Sequence, residues 1–209
     1  MTGKPDARRR RSRETRVRLL EAALGLFVEH GYDGTTIEAI AREGEVAVQT
    51  VYFKFGTKVA ILKEVLDVRV AGDDRPVPTV EREWFRAAIA ARDPREQLRH
   101  QVAGAREIHE RLGGVLEVLR NAAASNEEVA PLWERNKEQR LEVQTLLMGA
   151  LADKHPLPTG LGVERAADIG YTLLGPEVHH LLVTERGWSA GEWADWVYAD
   201  LCRHLLGES

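Results

Sequence analysis

Residues 35–58, TTIEAIAREGEVAVQTVYFKFGTK, decide the fold. Apolar side chains at Ile37, Ile40, Ala41, Val46, Val51 and Phe55, with a break around Gly44-Glu45, predict two short tightly joined helices, about 37–43 and 48–53. A helix-turn-helix buries the inner faces of both helices and leaves the outer face of the second free for a major groove. That outer face carries Val48, Gln49, Thr50, Phe53 and Lys54. Glutamine can bond a base edge, valine and threonine can meet a thymine methyl, and lysine can neutralise a phosphate. Phe53 has two readings, apolar contact in the groove or packing against the first helix.

Working outward, Val17, Leu20, Leu24, Phe27 and Val28 recur at spacings of three and four and predict a helix over 13–30. His30-Gly31-Tyr32 supplies a glycine stop. Thr35 precedes Glu38 by three residues, a capping-box spacing for the second helix. Gly56-Thr57 ends the recognition helix, and Thr57 is placed to cap a fourth helix running from Lys58 to about Val70.

The ordered series Thr36-Ile37, Ile40-Ala41, Val46, Thr50-Val51-Tyr52, Phe55 and Lys58 resembles the DNA-binding domain of the TetR (tetracycline-repressor-like) family of bacterial regulators. The resemblance implies phosphate contacts from Thr36, Tyr52 and Lys58, and base or adjacent phosphate contacts from Val48, Gln49 and Thr50. Tyr52 also reads as a core aromatic with its hydroxyl in water. Two residues depart from the family pattern. Glu45 stands where the family usually has the glycine of the tight turn, and Ala47 stands where it favours a Ser or Thr cap. A left-handed backbone at Glu45 and the loss of the cap each cost on the order of 1 kcal/mol. These departures bear on turn geometry rather than on the binding face, and the turn is open to a shift of one residue.

Charge supports the same partner. Residues 1–18 carry eight basic side chains against Asp6 and Glu14, so a segment of +6 precedes a remainder of −10. A basic arm on an acidic body reads either as a solvated tail or as a polyanion contact, and a neighbouring helix-turn-helix favours nucleic acid. Arg11 and Arg13, at the inner end of a flexible arm 1–12, are candidate DNA contacts. No apolar run approaches the roughly 18 residues of a membrane helix, and the arginine-rich start is not a secretory signal. The single cysteine, Cys202, excludes an intramolecular disulfide framework and suits a cytoplasmic protein.

The rest of the chain shows no sustained strand alternation, so the expected class is all-α, about nine helices in total. Gly72 to Pro78 is a clear interruption, Thr79 to Ala91 is amphipathic, and Gly113-Gly114 marks a bend. Asp93-Pro94-Arg95-Glu96 opens a helix to Leu112, and another runs from near Glu128–Pro131 to before His155. Pro176 predicts a break within 163–184, and Ser189 to Glu192 is a capping box for the last helix. The expected organisation is an arm (1–12), a helix-turn-helix domain (13–58) and a helical effector-binding and dimerisation domain (59–209).

In the resembling family the last two long helices pair with those of a second copy, and the body encloses a small-molecule pocket. Carried over, this implies a homodimer with candidate interface residues Leu174, Leu181, Trp193 and Val197. Trp84, Phe85, His100, Trp133, Tyr171 and His179 are the candidate pocket residues. A dimer also suits a palindromic operator in double-stranded DNA, because one recognition helix covers only a half-site.

Catalytic and metal motifs are missing. His179-His180 point about 100° apart on a helix, Cys202 and His204 are two apart, and neither pair converges on one ion. No CxxC, HExxH, Gly-rich phosphate loop or nucleophile elbow occurs, so neither an enzyme nor a cofactor is expected. The leading function is a dimeric, ligand-responsive transcriptional regulator, with repression and the unidentified effector implied by the resemblance alone. The alternative is a non-catalytic helical carrier of a hydrophobic ligand whose helix-turn-helix serves protein contact.

Overall fold

The computed structural model describes residues 3–71, 79–112 and 114–208, with side chains described from residue 9 onward and up to residue 70 in the first stretch. Among the described residues every regular element is helical. The helices are α1 (Gly3–Gly34), α2 (Ile37–Glu43), α3 (Val48–Phe55), α4 (Lys58–Ala71), α5 (Glu83–Ala90), α6 (Pro94–Leu112), α7 (Val115–Ala123), α8 (Ala130–Ala152), α9 (Val163–Leu173), α10 (Pro176–His179) and α11 (Ala190–Leu206). A 3₁₀ turn at Thr79–Glu81 precedes α5, and a π-helical segment, His180–Glu185, continues α10. The interruption expected at Gly72 to Pro78, and Gly113 of the expected bend, lie outside the described residues.

The chain packs as two units, one of residues 1–69 with 113–133 and one of residues 70–112 with 134–209. This packing division differs from the expected split at residue 58, because α4 and the 115–133 segment join the first unit. There α7 packs on α1, and Leu19, Ala23, Phe27, Ile40, Val51, Ile61, Leu62, Val115 and Leu119 are wholly buried or nearly so. In the second unit α5 and α11 pack on α6, around Leu98, Val102, Leu147, Met148, Leu151, Ala166, Val197 and Leu201.

The first helix starts earlier than its apolar stripe predicts. Residues 3–12, expected as a flexible arm, continue α1, which bends only at Gly31 (φ 72°, ψ 175°). Arginine favours the helix interior, and Arg10 pairs with Glu14 one turn on at 3.5 Å, so no helix-breaking signal falls near residue 13.

Caps behave as local chemistry dictates, with one exception. Ser189 and Glu192 make both bonds of the capping box, and Thr57 accepts from the Ala60 amide at 3.1 Å. The α2 cap is Thr36, whose hydroxyl accepts from the Ala39 amide at 3.1 Å, and not Thr35 as expected. Thr35 is fully buried, with its hydroxyl 3.0 Å from the Leu26 carbonyl and 2.8 Å from that of Gly31. The carbonyls freed by the Gly31 bend need donors, and Thr35 supplies one.

Candidate nucleic-acid interface

The turn between α2 and α3 keeps its register despite both departures. Glu45 takes the left-handed place itself (φ 52°), while Gly44 is ordinary (φ −78°). Gly44 is needed for space, since a Cβ there would stand 2.5 Å from Leu19 Cδ2. Arg18 Nε donates to the Gly44 carbonyl at 2.9 Å, tying the turn to α1. Ala47 caps α3 with backbone alone, and no side chain bonds there.

This frame aims α3. Val51 is fully buried, so the opposite face looks outward. Gln49 is exposed, Tyr52 is 45% exposed and Phe53 is 92% exposed, while Val48 and Thr50 are half-buried beside them. Phe53 therefore does not pack against the first helix, and Tyr52 is no core aromatic. Lys54 Nζ donates to Ser12 Oγ at 2.9 Å and to the Ser12 carbonyl at 3.2 Å, joining the end of α3 to the basic stretch of α1. Arg11 and Arg13 are exposed on that stretch, and Thr36 is exposed at the start of α2.

Lys58 is engaged differently from the expected phosphate contact. Its Nζ donates to the carbonyls of Tyr32 (2.7 Å) and Thr35 (2.8 Å) and lies 4.2 Å from the centre of the Tyr32 ring. Burial lowers its pKa, opposed by the nearby Asp33 carboxylate, and burial beside Glu128 and Asp33 pushes Tyr32 up to about 12. Lysine thus closes the end of α1 onto the starts of α2 and α4. It carries the geometry of the motif from beneath. Sequence spacing had no access to this, because an exposed and an inward-turned lysine look alike.

The residues expected to line a pocket do not form one group. Trp133 belongs to the first unit and the other five to the second. Trp84 lies on Gly104, where a Cβ would stand 2.5 Å from the indole, and meets the core residue Phe85 edge-on. His100 is half-buried on α6. Tyr171 accepts from Arg140 Nη2 at 2.9 Å under its guanidinium, and Arg140 also pairs with Glu177 at 3.1 Å. His179 stacks on His109 with centroids 4.5 Å apart, and both meet Trp193 edge-on. His109, which the sequence reading missed, bonds the Leu174 carbonyl at 2.9 Å. Burial first, then His179 and Arg140, drive its pKa down to about 3 against that bond, so the ring is neutral. Its neighbours in sequence are charged, and nothing in α6 marked it as interior.

Of the expected interface residues, Trp193 and Val197 are fully buried and Leu174 is 7% exposed, all within their own unit. These three are corrected to core residues. Every fourth residue from Trp193 faces inward on α11, a choice that apolar content on several faces of that helix left undecided. Leu181 alone of the four stands outward, 48% exposed. His179 and His180 diverge, the second toward Glu185 at 3.6 Å. Among the described residues no cluster of His, Cys, Asp or Glu could hold a metal ion, and no helix is long and apolar enough to cross a membrane.

Comparison with known proteins places this motif. Residues 19–65 match the model of the bacterial regulatory proteins of the tetR family. The HTH-type transcriptional regulator TtgW of Pseudomonas putida is 35% identical over 39% of this chain and 63% of its own length, so the chain spans less than two thirds of that relative. The HTH-type transcriptional regulator YdeS of Bacillus subtilis is 27% identical over 84% of this chain and 82% of its own. The transcriptional regulator FadR of Bacillus subtilis, solved in complex with stearoyl-CoA, shares the fold with a TM-score of 0.71 at 17% identity, over 88% of this chain and 96% of the other.

Proposed function

We propose that this chain, whose residues 19–65 match the model of the bacterial regulatory proteins of the tetR family, is a homodimeric repressor that binds a palindromic operator and releases it when a small molecule binds the second unit. In this reading the expected domain division has functional content. Residues 1–12 add phosphate contacts, 13–58 read DNA, and 59–209 bind effector and partner.

One observation carries the DNA-binding part. A phenylalanine 92% exposed, beside exposed Gln49 and Tyr52, stands on a short helix anchored by the fully buried Val51. A large ring held in water on a rigid helix marks a surface kept for a partner. Lys54 is bonded to Ser12, which lies between Arg11 and Arg13 in sequence, and three cations together with an apolar ring suit a polyanion with apolar base edges, as a DNA groove is. Gln49 would read a base, Val48 and Thr50 would meet methyl or phosphate groups, and Thr36 and Tyr52 would hold phosphates. Lys58 would act by positioning α2 rather than by touching DNA. Effector release is supported by the neutral aromatic cluster inside the second unit and by the acyl-CoA complex of the related fold.

The test is a gel shift with the DNA upstream of the protein's own gene, paired with sedimentation of the unmodified chain and of Leu181→Glu. The proposal expects a dimer at micromolar concentration, monomers for Leu181→Glu, and loss of most operator affinity with the dimer, because a charge buried without a partner costs several kcal/mol. A monomer with full operator affinity would overturn it.

A further inference from the structure

We infer that the helix faces around His109, drawn from α6, α8, α10 and α11, form a binding site for an uncharged aromatic molecule whose polar edge both donates and accepts hydrogen bonds. The inference deepens the effector reading above and rests on it.

Two glutamines on α6 make the case by contrast. Gln97 is fully buried and uses both ends of its amide, donating to the Leu147 carbonyl at 2.7 Å and accepting from Lys154 Nζ at 2.6 Å. Gln101, one turn on and 1% exposed, bonds with neither end. Trp193 is fully buried, and its Nε1–H has no acceptor. Gln144 Oε1, Asn136 Oδ1 and His179 Nε2 are buried and unbonded as well. Folded proteins leave few such atoms, and a group of them marks a place where a partner completes the bonds.

These atoms share one region. The Gln97 to Leu147 bond sets α6 beside α8, and Arg140 acts electrostatically on His109, so the two helices run in opposite directions. That register carries Gln101 toward Gln144 and His109 toward Asn136 and Arg140. Gln144 Oε1 closes on Gly170, where a Cβ would stand at 2.6 Å. His109, His179 and Trp193 complete the region with rings 4.5 to 5.4 Å apart.

The charge state selects the ligand. His109 is neutral, burial also lowers the pKa of His179 against the nearby Glu110, and Arg140 is balanced by Glu177. A carboxylate would find Arg140 already paired with Glu177, and an ammonium would find Glu110 already paired with Arg106, so either gives up its hydration for little return. An uncharged ring loses no such hydration and adds to a cluster in which His109, His179 and Trp193 already pack ring on ring. Trp193 and the Gln101 nitrogen donate, while the Gln101 and Gln144 oxygens accept, so a hydroxyl, amide or lactam edge fits both sets.

The experiment is calorimetric titration of the full chain, without DNA, at neutral pH with three probes on one ring system: naphthol, naphthoate and naphthylmethylammonium. Naphthol is expected to bind at least tenfold more tightly than either ion. Gln101→Leu and Trp193→Phe are each expected to weaken naphthol about five- to tenfold, the loss of one bond, with helical circular dichroism unchanged. Should Trp193→Phe lose its helical signal, Gln101→Leu decides. Equal or tighter binding of either ion, no naphthol binding at millimolar concentration, or full affinity in a folded variant would overturn the inference. The regulator reading is tested separately by the gel shift, which none of these outcomes affects.

Discussion

The two units place their unspent chemistry on opposite sides of their helices. In the first unit, α3 buries Val51 and turns Gln49, Tyr52 and Phe53 to solvent, while lysine and threonine bonds beneath fix its aim. In the second, α6 and α11 turn Gln101 and Trp193 inward and leave their polar atoms unbonded. On the proposed function the first unit presents a surface to DNA and the second surrounds a small molecule, and the difference shows in where hydrogen-bonding capacity remains.

Acid should break the second unit's arrangement first. The folded pKa of His109, about 3, lies below its ordinary value of 6.5, so the unfolded chain takes up the proton first. Stability is whole above pH 6.5 and falls as pH drops toward 3. Linkage puts the loss on the order of 3 kcal/mol by pH 4. The charged and titratable groups facing the pair are Arg140, Glu110 and His180, and burial holds His179 low as well. Thermal melts between pH 7 and 4 should show the decline in the wild type. His109→Phe should be less stable at pH 7 yet flatter, and an equally steep decline in that variant would assign the acid sensitivity elsewhere.

Lys58→Met tests whether the first unit's surface depends on its underside. The variant removes the donor to the Tyr32 and Thr35 carbonyls, and bonds from a charged donor are worth about 1.5–3 kcal/mol. Chemical denaturation should show a loss of that size, and binding should fall for every DNA sequence. Unchanged stability with a reduced salt slope would restore Lys58 as a phosphate contact.

At the surface itself, Gln49→Ala should weaken operator binding by about 1–3 kcal/mol and relax preference at one base pair. Tyr52→Phe should weaken all sequences about equally, since phosphates carry no sequence information. The opposite pattern would mean that the reading face of α3 is wrongly drawn.

What was legible in the sequence follows the same division. Local chemistry announced the Ser189 box, the Thr57 cap, the break before Pro176 and both departures at Glu45 and Ala47. Each depends on residues within one turn. Thr35 and Thr36 were ambiguous because either can cap, and only the carbonyls freed at Gly31 decide between them. Trp193 and Val197 were misassigned because an apolar helix face does not say whether its own unit or a partner covers it. His109 was missed because Arg106, Glu107, Glu110 and Arg111 surround it with solvated charge. The α3 face was legible from neighbouring residues, whereas the interior cluster exists only once α6, α8, α10 and α11 meet.

A footprint on the DNA upstream of the protein's own gene tests the central claim most directly. The account predicts protection of a palindrome whose half-sites are centred about 10–10.5 base pairs apart or a multiple of that, with both halves lost together in Gln49→Ala at limiting protein. Protection of a single half-site at full affinity, or a footprint indifferent to Gln49, would contradict it.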